Sequence, residues 1–323
     1  MLLRHRSYLI TAGAGSFLLA LGGLYYAGLK GIPAHVATPL LAAFLIEFIC
    51  YLIPGFPSLR QELSERIPMF WFAALLAASG LTPYLLYSIP AGVFRADLAL
   101  RLAVLLIVVC YWYLYRAPAR TSDVLMLVLL GAIVLAKFFS RVYLPPWPGL
   151  RIEVLGQLML IRVAAVVMLD IREVEVRGFG FLPTAAEWKT GARYALYFLV
   201  LAMPVAMFFG VLRWNPVKQE ILLAPMLFAG FFWVVALGEE FFFRGLIQEW
   251  LAQWTRRPTL ALAVTSALFG LCHLPFGAFP NWQFAIFAAV AGCCYGKAYL
   301  AGGSVRTSMV THALVVLVWR VLF

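Results

Sequence analysis

The chain is dominated by a succession of apolar stretches, each close to the length of about 20 residues that a helix needs to cross a bilayer. Hydrophobic residues make up 64% of the chain and charged residues only 12%, against roughly 45–50% and about 25% in soluble domains. A soluble fold cannot bury that much apolar surface, whereas a bilayer solvates it. The sequence therefore predicts an all-α fold, a polytopic bundle of transmembrane helices.

About ten stretches have the length and composition of a membrane span. They lie near residues 8–28, 36–54, 68–89, 99–115, 123–139, 194–212, 222–243, 259–275, 283–300 and 307–323. A further segment, 152–170, contains Glu153 and Arg162, so it fits either a spanning helix or an amphipathic helix at the interface. The prediction is thus about 10 to 11 spans.

The longest polar stretch, residues 170–193, separates a front portion from a back portion of the chain. We therefore expect an N-terminal transmembrane helical bundle of unknown role at 1–170, a polar connecting loop at 171–193 and a second transmembrane domain at 194–323. The sequence has no internal repeat, so it gives no support to transporter-type symmetry.

The net charge of +11 comes from basic residues that stand singly or in pairs between apolar stretches. Nucleic-acid-binding proteins instead concentrate such residues in a patch or stripe, so we expect no nucleic-acid partner. Basic residues at helix ends meet anionic headgroups, and aromatic residues near the ends, such as Trp112 and Tyr113, are typical of interfacial belts. The chain is expected to be an integral multi-pass protein of a bacterial-type inner membrane, with membrane lipids as partners.

The five cysteines lie within apolar stretches and show neither a CxxC pair nor the spacing of a secreted domain. We interpret them as buried small residues. Cys272 adjoins His273, but neighbouring residues on a helix point about 100° apart, which disfavours a Cys–His nucleophile.

Two adjacent carboxylates, Glu239 and Glu240, lie at the end of an apolar helix in the segment LGEEFFFRGLIQEW. Charges at such depth are costly and functional by default. Glu240 and Arg244 have the i,i+4 spacing of one helix face, so they are predicted to form an ion pair. Glu239 points about 100° away and is the candidate general base. A purely structural charge cluster, or a helix end with solvated charges, is the alternative.

Two later apolar stretches each contain a histidine. The first places Phe269 and His273 on one helix face, and the aromatic ring one turn before the imidazole restricts its rotamer. The second contains His312. A carboxylate and two imidazoles on neighbouring spans suit hydrolysis: the carboxylate deprotonates water, one imidazole orients it and another donates to the oxyanion.

The motifs EExxxR (Glu239, Glu240, Arg244) and FxxxH (Phe269, His273), followed by a histidine in a later span, resemble the CPBP family of membrane proteases. This family includes CaaX-processing and bacteriocin-processing members, and the resemblance covers residues 194–323. It implies an all-helical fold and an intramembrane endopeptidase of the glutamate type that needs no cofactor or metal.

In that resemblance, Glu239 activates water together with His273, and His312 helps to form the oxyanion hole, with Glu240, Arg244 and Phe269 as supporting residues. The implied substrate is a protein or peptide with a membrane-associated C-terminal tail, cleaved near that tail. The chain departs from the pattern at Val316, where many members carry an asparagine. Valine cannot donate a hydrogen bond, so the oxyanion hole depends on His312 or on a donor elsewhere.

Two other readings remain open at this point. A zinc enzyme could use Glu239, His273 and His312 as three ligands with water in the fourth position, although HExxH is absent. A non-catalytic membrane protein, such as an immunity factor or a membrane chaperone, is favoured by Val316 and by the front portion that the resemblance does not cover.

Glu47 is a second intramembrane acid and lies outside the resemblance. We expect it to make a hydrogen bond that packs helices together rather than to act in chemistry.

Overall fold

The computed structural model describes residues 5–277 and 279–323, and the regular elements formed by these residues are all helices. The predicted all-α fold is thereby confirmed. The chain divides into two compact units, Met1–Glu175 and Val176–Phe323.

The first unit consists of helices that run back and forth with short connections. They are α1 (Arg6–Leu29), α2 (Ala34–Leu52), α3 (Pro57–Arg66), α4 (Met69–Ser88), α5 (Ala96–Tyr115), α6 (Arg120–Leu135), α7 (Phe138–Val142) and α8 (Glu153–Val166, continued as a π-helix over Val167–Ile171). Helix α2 packs against α1, α4 and α8, and α4 packs against α5.

The second unit contains the segment that carries the candidate site. Its helices are α9 (Ala185–Phe208), α10 (Lys218–Leu222), α11 (Ala224–Gly230), α12 (Leu237–Glu240), α13 (Glu249–Thr255), α14 (Pro258–Cys272), α15 (Trp282–Gly302) and α16 (Val305–Leu322). Helices α14 and α15 form a closely packed pair, and α16 packs against α9 and α15.

Within the described residues, nine helices are long and apolar enough to cross a membrane. They are Arg6–Leu29, Ala34–Gly55, Met69–Ser88, Ala96–Tyr115, Glu153–Ile171, Ala185–Phe208, Ala224–Thr255, Trp282–Gly302 and Val305–Leu322. Pro258–Cys272 is a shorter apolar helix. The chain is an integral membrane protein with the predicted polytopic architecture.

The predicted span at 123–139 is not one continuous helix in the structure. Helix α6 ends at Leu135, and Lys137 has the left-handed φ of 52°. A residue with a bulky side chain in this conformation cannot continue a right-handed helix. The apolar run is therefore split between α6 and the short helix α7.

The ambiguous segment 152–170 forms one helix because its central charge is paired. Arg162 donates to both carboxylate oxygens of Glu47, at 2.9 and 3.0 Å, and to the hydroxyl of Ser79 at 2.8 Å. The side chains of Arg162 and Glu47 are 2% and 0% exposed. A paired and hydrogen-bonded charge is tolerated at a depth where an isolated one is not. Glu47 thus makes the interhelical contact expected of it.

Helix α9 begins at Ala185, within the stretch 171–193 that the sequence predicts as a polar connecting loop. The helix start is fixed by a capping box. The Thr184 hydroxyl accepts from the backbone N–H of Glu187, and the Glu187 carboxylate accepts from the backbone N–H of Thr184. These bonds satisfy backbone donors that the first turn otherwise leaves unpaired, so the charged residues that follow are helical.

Helices α14 and α15 approach so closely at Gly270 that no side chain fits there. A Cβ atom added to Gly270 would lie 2.5 Å from the backbone oxygen of Ala285. We expect Gly270→Ala to lower the free energy of unfolding by about 1–3 kcal/mol, because the clash is with backbone and the helices must separate. The melting temperature of the reconstituted protein measures this loss.

The matched control is Gly230→Ala, since a Cβ on that helical glycine meets nothing within 4 Å. Alanine is favoured over glycine in a helix by about 1 kcal/mol, so this variant should melt at or above the wild-type temperature. Equal melting of both variants would contradict the close approach.

Candidate active site

The helix that carries the two glutamates is irregular. Between Ala224 and Thr255 it passes through a π-helix at Phe231–Ala236, an α-helical turn at Leu237–Glu240 and a second π-helix at Phe241–Gln248. π-Helical segments are rare and occur frequently at functional sites. Glu239 and Glu240 therefore lie on the single α-turn between two distorted segments.

Glu240 is completely buried and bound to Arg244. The Arg244 Nη1 donates to Glu240 Oε1 at 2.9 Å, and both side chains are 0% exposed. Arg244 Nη2 donates to the backbone oxygen of Gly292 at 2.8 Å. The i,i+4 ion pair indicated by the sequence is thus present, and it also ties this helix to α15.

Aromatic rings enclose the Arg244 guanidinium. Its carbon lies 4.9 Å from the ring centroid of Phe269, 5.4 Å from that of Tyr295 and 5.8 Å from that of Phe243. Cations are attracted to the faces of such rings, more strongly when water is excluded. Arg244 is therefore held by a carboxylate, a carbonyl and three rings.

His312 joins the two glutamates. Its Nδ1 lies 2.7 Å from Glu240 Oε1, the oxygen that also accepts from Arg244. Its Nε2 lies 3.9 Å from Glu239 Oε2. Because a carboxylate only accepts, Nδ1 of His312 carries the proton in this contact. Tyr295 stacks on the imidazole with ring centroids 4.5 Å apart, which fixes the ring plane.

Glu239 differs from Glu240 in its surroundings. Its side chain is 37% exposed, whereas that of Glu240 is 0% exposed. The nearest ionisable group is His312, whose Nε2 lies 3.9 Å from Glu239 Oε2, beyond a direct hydrogen bond. Glu239 is therefore the one of the two carboxylates that a reactant can reach.

His273 lies at the C-terminal end of α14, where the helix stops at Cys272. Its Nδ1 is 2.7 Å from the backbone oxygen of Phe269. A carbonyl oxygen only accepts, so Nδ1 donates and the lone pair of the neutral imidazole is on Nε2. In this tautomer Nε2 is the acceptor nitrogen of the ring.

The ring of Phe269 contacts both imidazoles. Its centroid lies 4.7 Å from that of His273 and 5.9 Å from that of His312. The structure thus brings Glu239, Glu240 and His312 together directly and joins His273 to them through Phe269. The arrangement places an accessible carboxylate 3.9 Å from the His312 imidazole, and the Phe269 ring contacts both imidazoles.

Comparison with known families addresses the same part of the chain. Residues 219–318 match the family described as type II CAAX prenyl endopeptidase Rce1-like. This segment belongs to the CAAX protease family. The match includes every candidate site residue from Glu239 to His312. No curated protein and no solved structure gives a significant match to the chain.

The contact between Glu240 and His312 in this CAAX protease segment is the feature that sequence reasoning missed. The i,i+4 spacing assigned Glu240 to Arg244 alone, whereas one oxygen of Glu240 serves both partners. Tyr295 was also missed. No spacing signal reveals either contact, because α15 and α16 are remote in sequence from the helix that carries Glu240.

Among residues 5–277 and 279–323, no three His, Cys, Asp or Glu side chains are grouped as metal ligands would be. His312 Nδ1 is engaged by Glu240 and His273 Nδ1 by a carbonyl. In each imidazole Nδ1 is therefore engaged, and Nε2 is the ring nitrogen that a reactant could contact.

Proposed function

We propose that the chain is an intramembrane endopeptidase in which Glu239 activates the attacking water. The observation that carries this proposal is the pairing of an accessible Glu239 with a His312 that a buried Glu240 orients. The CAAX protease match over residues 219–318 supports peptide-bond hydrolysis as the reaction. A bacterial-type inner membrane is the location that we infer from the spans and the basic loops.

The reaction follows from the two unlike carboxylates. Glu239 takes a proton from water while the water oxygen bonds to the carbonyl carbon of the substrate, which gives a tetrahedral oxyanion. His273 Nε2 shares that water in our proposal. The proton then passes to the leaving nitrogen as the C–N bond breaks, which restores the Glu239 carboxylate.

His312 is proposed to stabilise the oxyanion. Its Nδ1 proton is committed to Glu240, so a donor at Nε2 requires the doubly protonated ring. In that form the Nε2 donor stabilises the negative charge as it develops on the oxyanion, as preorganised donors do in other sites. Val316 adds no donor.

The substrate that we propose is a protein or peptide with a membrane-associated C-terminal tail. The matching family is described as a type II CAAX prenyl endopeptidase, which supports this choice of substrate. Residues 1–170 lie outside the match and are proposed to form a separate bundle with its own role.

Two fluorogenic reporters test this proposal in lipid nanodiscs: a farnesylated CAAX peptide and a peptide that ends in an apolar helical tail. We expect the reconstituted protein to cleave at least one of them. If neither is cleaved, the non-catalytic reading is favoured.

Chelation separates the glutamate mechanism from the zinc alternative. We expect reporter cleavage to be unchanged after exhaustive treatment with a strong zinc chelator, because the ligand spacing of zinc peptidases is missing. Cleavage rates before and after chelation are the measurement. If cleavage is lost on chelation and only zinc restores it, the zinc mechanism is favoured. Glu239 would then be a metal ligand rather than the general base.

A further inference from the structure

An open cavity of about 520 Å³ lies in the first unit, between the beginning of α4 and the last turns of α5. Its lining includes Phe70, Ile107, Tyr111, Trp112 and Tyr115, with Arg116 as the charged residue. Small-molecule sites typically have about 300–1,000 Å³ and are mostly apolar with a few placed polar groups. The cavity has a volume in this range and an apolar lining with one charged residue, but it is a wide, open groove rather than an enclosed pocket.

The position of the cavity along the helices points to the membrane interface. Helix α4 begins at Met69 and α5 ends at Tyr115, and both are candidate spans. The two helix ends are joined where the Tyr111 hydroxyl donates to the backbone oxygen of Phe70 at 3.2 Å. Trp and Tyr concentrate where the hydrocarbon region meets the headgroups, so the apolar part of the cavity faces acyl chains and its Arg116 end faces headgroups.

The aromatic rings are arranged as a continuous wall. Phe70 and Tyr111 meet edge to face with centroids 5.3 Å apart, and Tyr111 stacks on Tyr115 at 6.2 Å. Much of the ring surface is not covered by other residues, since Phe70 is 47% and Tyr115 75% exposed. A flexible hydrocarbon chain fits such a surface.

Arg116 decides which lipid suits the cavity. Its guanidinium lies over the Trp112 ring at 5.3 Å from the centroid, which holds the charge at the rim. Arginine binds phosphate through paired hydrogen bonds, and basic residues beside a span attract anionic lipids.

We propose that this cavity is a binding site for an anionic phospholipid, with an acyl chain along the rings of Tyr111 and Tyr115 and the phosphate group at Arg116. The site is independent of the proposed peptidase chemistry, because none of its residues belongs to the second unit.

Fluorescence quenching tests the site in nanodiscs that contain either brominated phosphatidylglycerol, which is anionic, or brominated phosphatidylcholine, which is zwitterionic, at equal mole fraction. We expect phosphatidylglycerol to quench tryptophan emission more. The excess should disappear in Trp112→Phe, which removes the reporting ring. Arg116→Gln should weaken the preference for phosphatidylglycerol about fivefold, the effect of roughly one lost charge contact at the surface.

Two further variants keep the test decisive. Arg116→Lys retains the charge and should keep most of the preference. Arg101→Ala removes a similar charge from the opposite end of the same helix and should leave the preference unchanged. Equal quenching by both lipids, or an excess that survives both Trp112→Phe and Arg116→Gln, would overturn the proposal.

Discussion

Replacement of Glu239 by Gln is expected to slow reporter cleavage by about 10²–10⁴-fold, the usual contribution of a positioned general base. The amide has nearly the same shape as the carboxylate but cannot take a proton from water. Initial rates of cleavage by the purified variant in nanodiscs measure the effect.

Folding should not respond to this change. The Glu239 side chain is 37% exposed, and His312 Nε2 lies 3.9 Å from its oxygen, beyond a direct hydrogen bond. Glu239 Oε2 has no hydrogen-bond partner among the described residues. Substitutions that break no such bond usually change stability by less than about 0.5 kcal/mol, so the melting temperature should stay within about 2 °C of wild type.

Glu175→Gln is the matched control, because Glu175 is exposed and lies between candidate spans. It should change neither the rate nor the melting temperature. A Glu239→Gln variant that cleaves at the wild-type rate would make Glu239 a structural residue and remove the centre of the proposed mechanism.

Local geometry made part of the site predictable. The ion pair of Glu240 and Arg244 follows from their i,i+4 spacing, and the placement of Phe269 one turn before His273 follows from the same periodicity. Both relations depend only on the rise and turn of one helix. The contact of Glu240 with Arg244 is kept although the chain is π-helical over Phe241–Gln248. The apolar pattern of the sequence does not indicate this π-helix.

Tertiary geometry made the rest unpredictable. His312 and Glu240 are 72 residues apart in the chain, and their contact depends on the exact packing of α16 against the helix that carries the glutamates. Arg162 is a second example. Its charge alone disfavours a membrane span, and only the tertiary structure shows that Glu47, remote in sequence, pairs with it.

A local signal in the sequence marks the start of α9. Thr184 and Glu187 have the T-x-x-E spacing of a capping box, which predicts a helix start. The high density of charged residues in 171–193 instead favoured a loop. A membrane-spanning helix can begin with polar turns outside the apolar region. Composition alone therefore does not locate the first residue of such a helix.

Replacement of Glu240 by Gln is expected to lower the free energy of unfolding by about 3–5 kcal/mol, the usual cost of removing one side of a buried ion pair. Arg244 is 0% exposed and would become an uncompensated buried charge. Thermal denaturation in nanodiscs should show a lower melting temperature, in contrast to the unchanged temperature expected of Glu239→Gln.

The hydrogen bonds alone would not predict so large a loss. Both Arg244 and His312 bind the same oxygen, Glu240 Oε1, so a glutamine oxygen at that position still accepts from both. Its amide nitrogen would then occupy the position of Oε2, a buried atom without a hydrogen-bond partner among the described residues. The loss therefore combines a missing charge with a buried donor left unpaired.

Cleavage should fall together with stability, because Glu240 also orients His312. Reversal of the pair, Glu240→Arg with Arg244→Glu, is not expected to recover folding. His312 Nδ1 would face a donor, and the backbone oxygen of Gly292 would lose the donor that it has in Arg244. Recovery by the reversed pair would show that charge balance matters more at this site than these two hydrogen bonds.

The matched control is the exposed pair of Asp97 and Arg101, which has the same i,i+4 spacing with side chains 46% and 63% exposed. Asp97→Asn should change stability by less than about 1 kcal/mol, because exposed pairs contribute little. If Glu240→Gln is no more destabilising than Asp97→Asn, then burial does not make Arg244 dependent on Glu240. In that case the separate roles assigned to the two glutamates lose their structural basis.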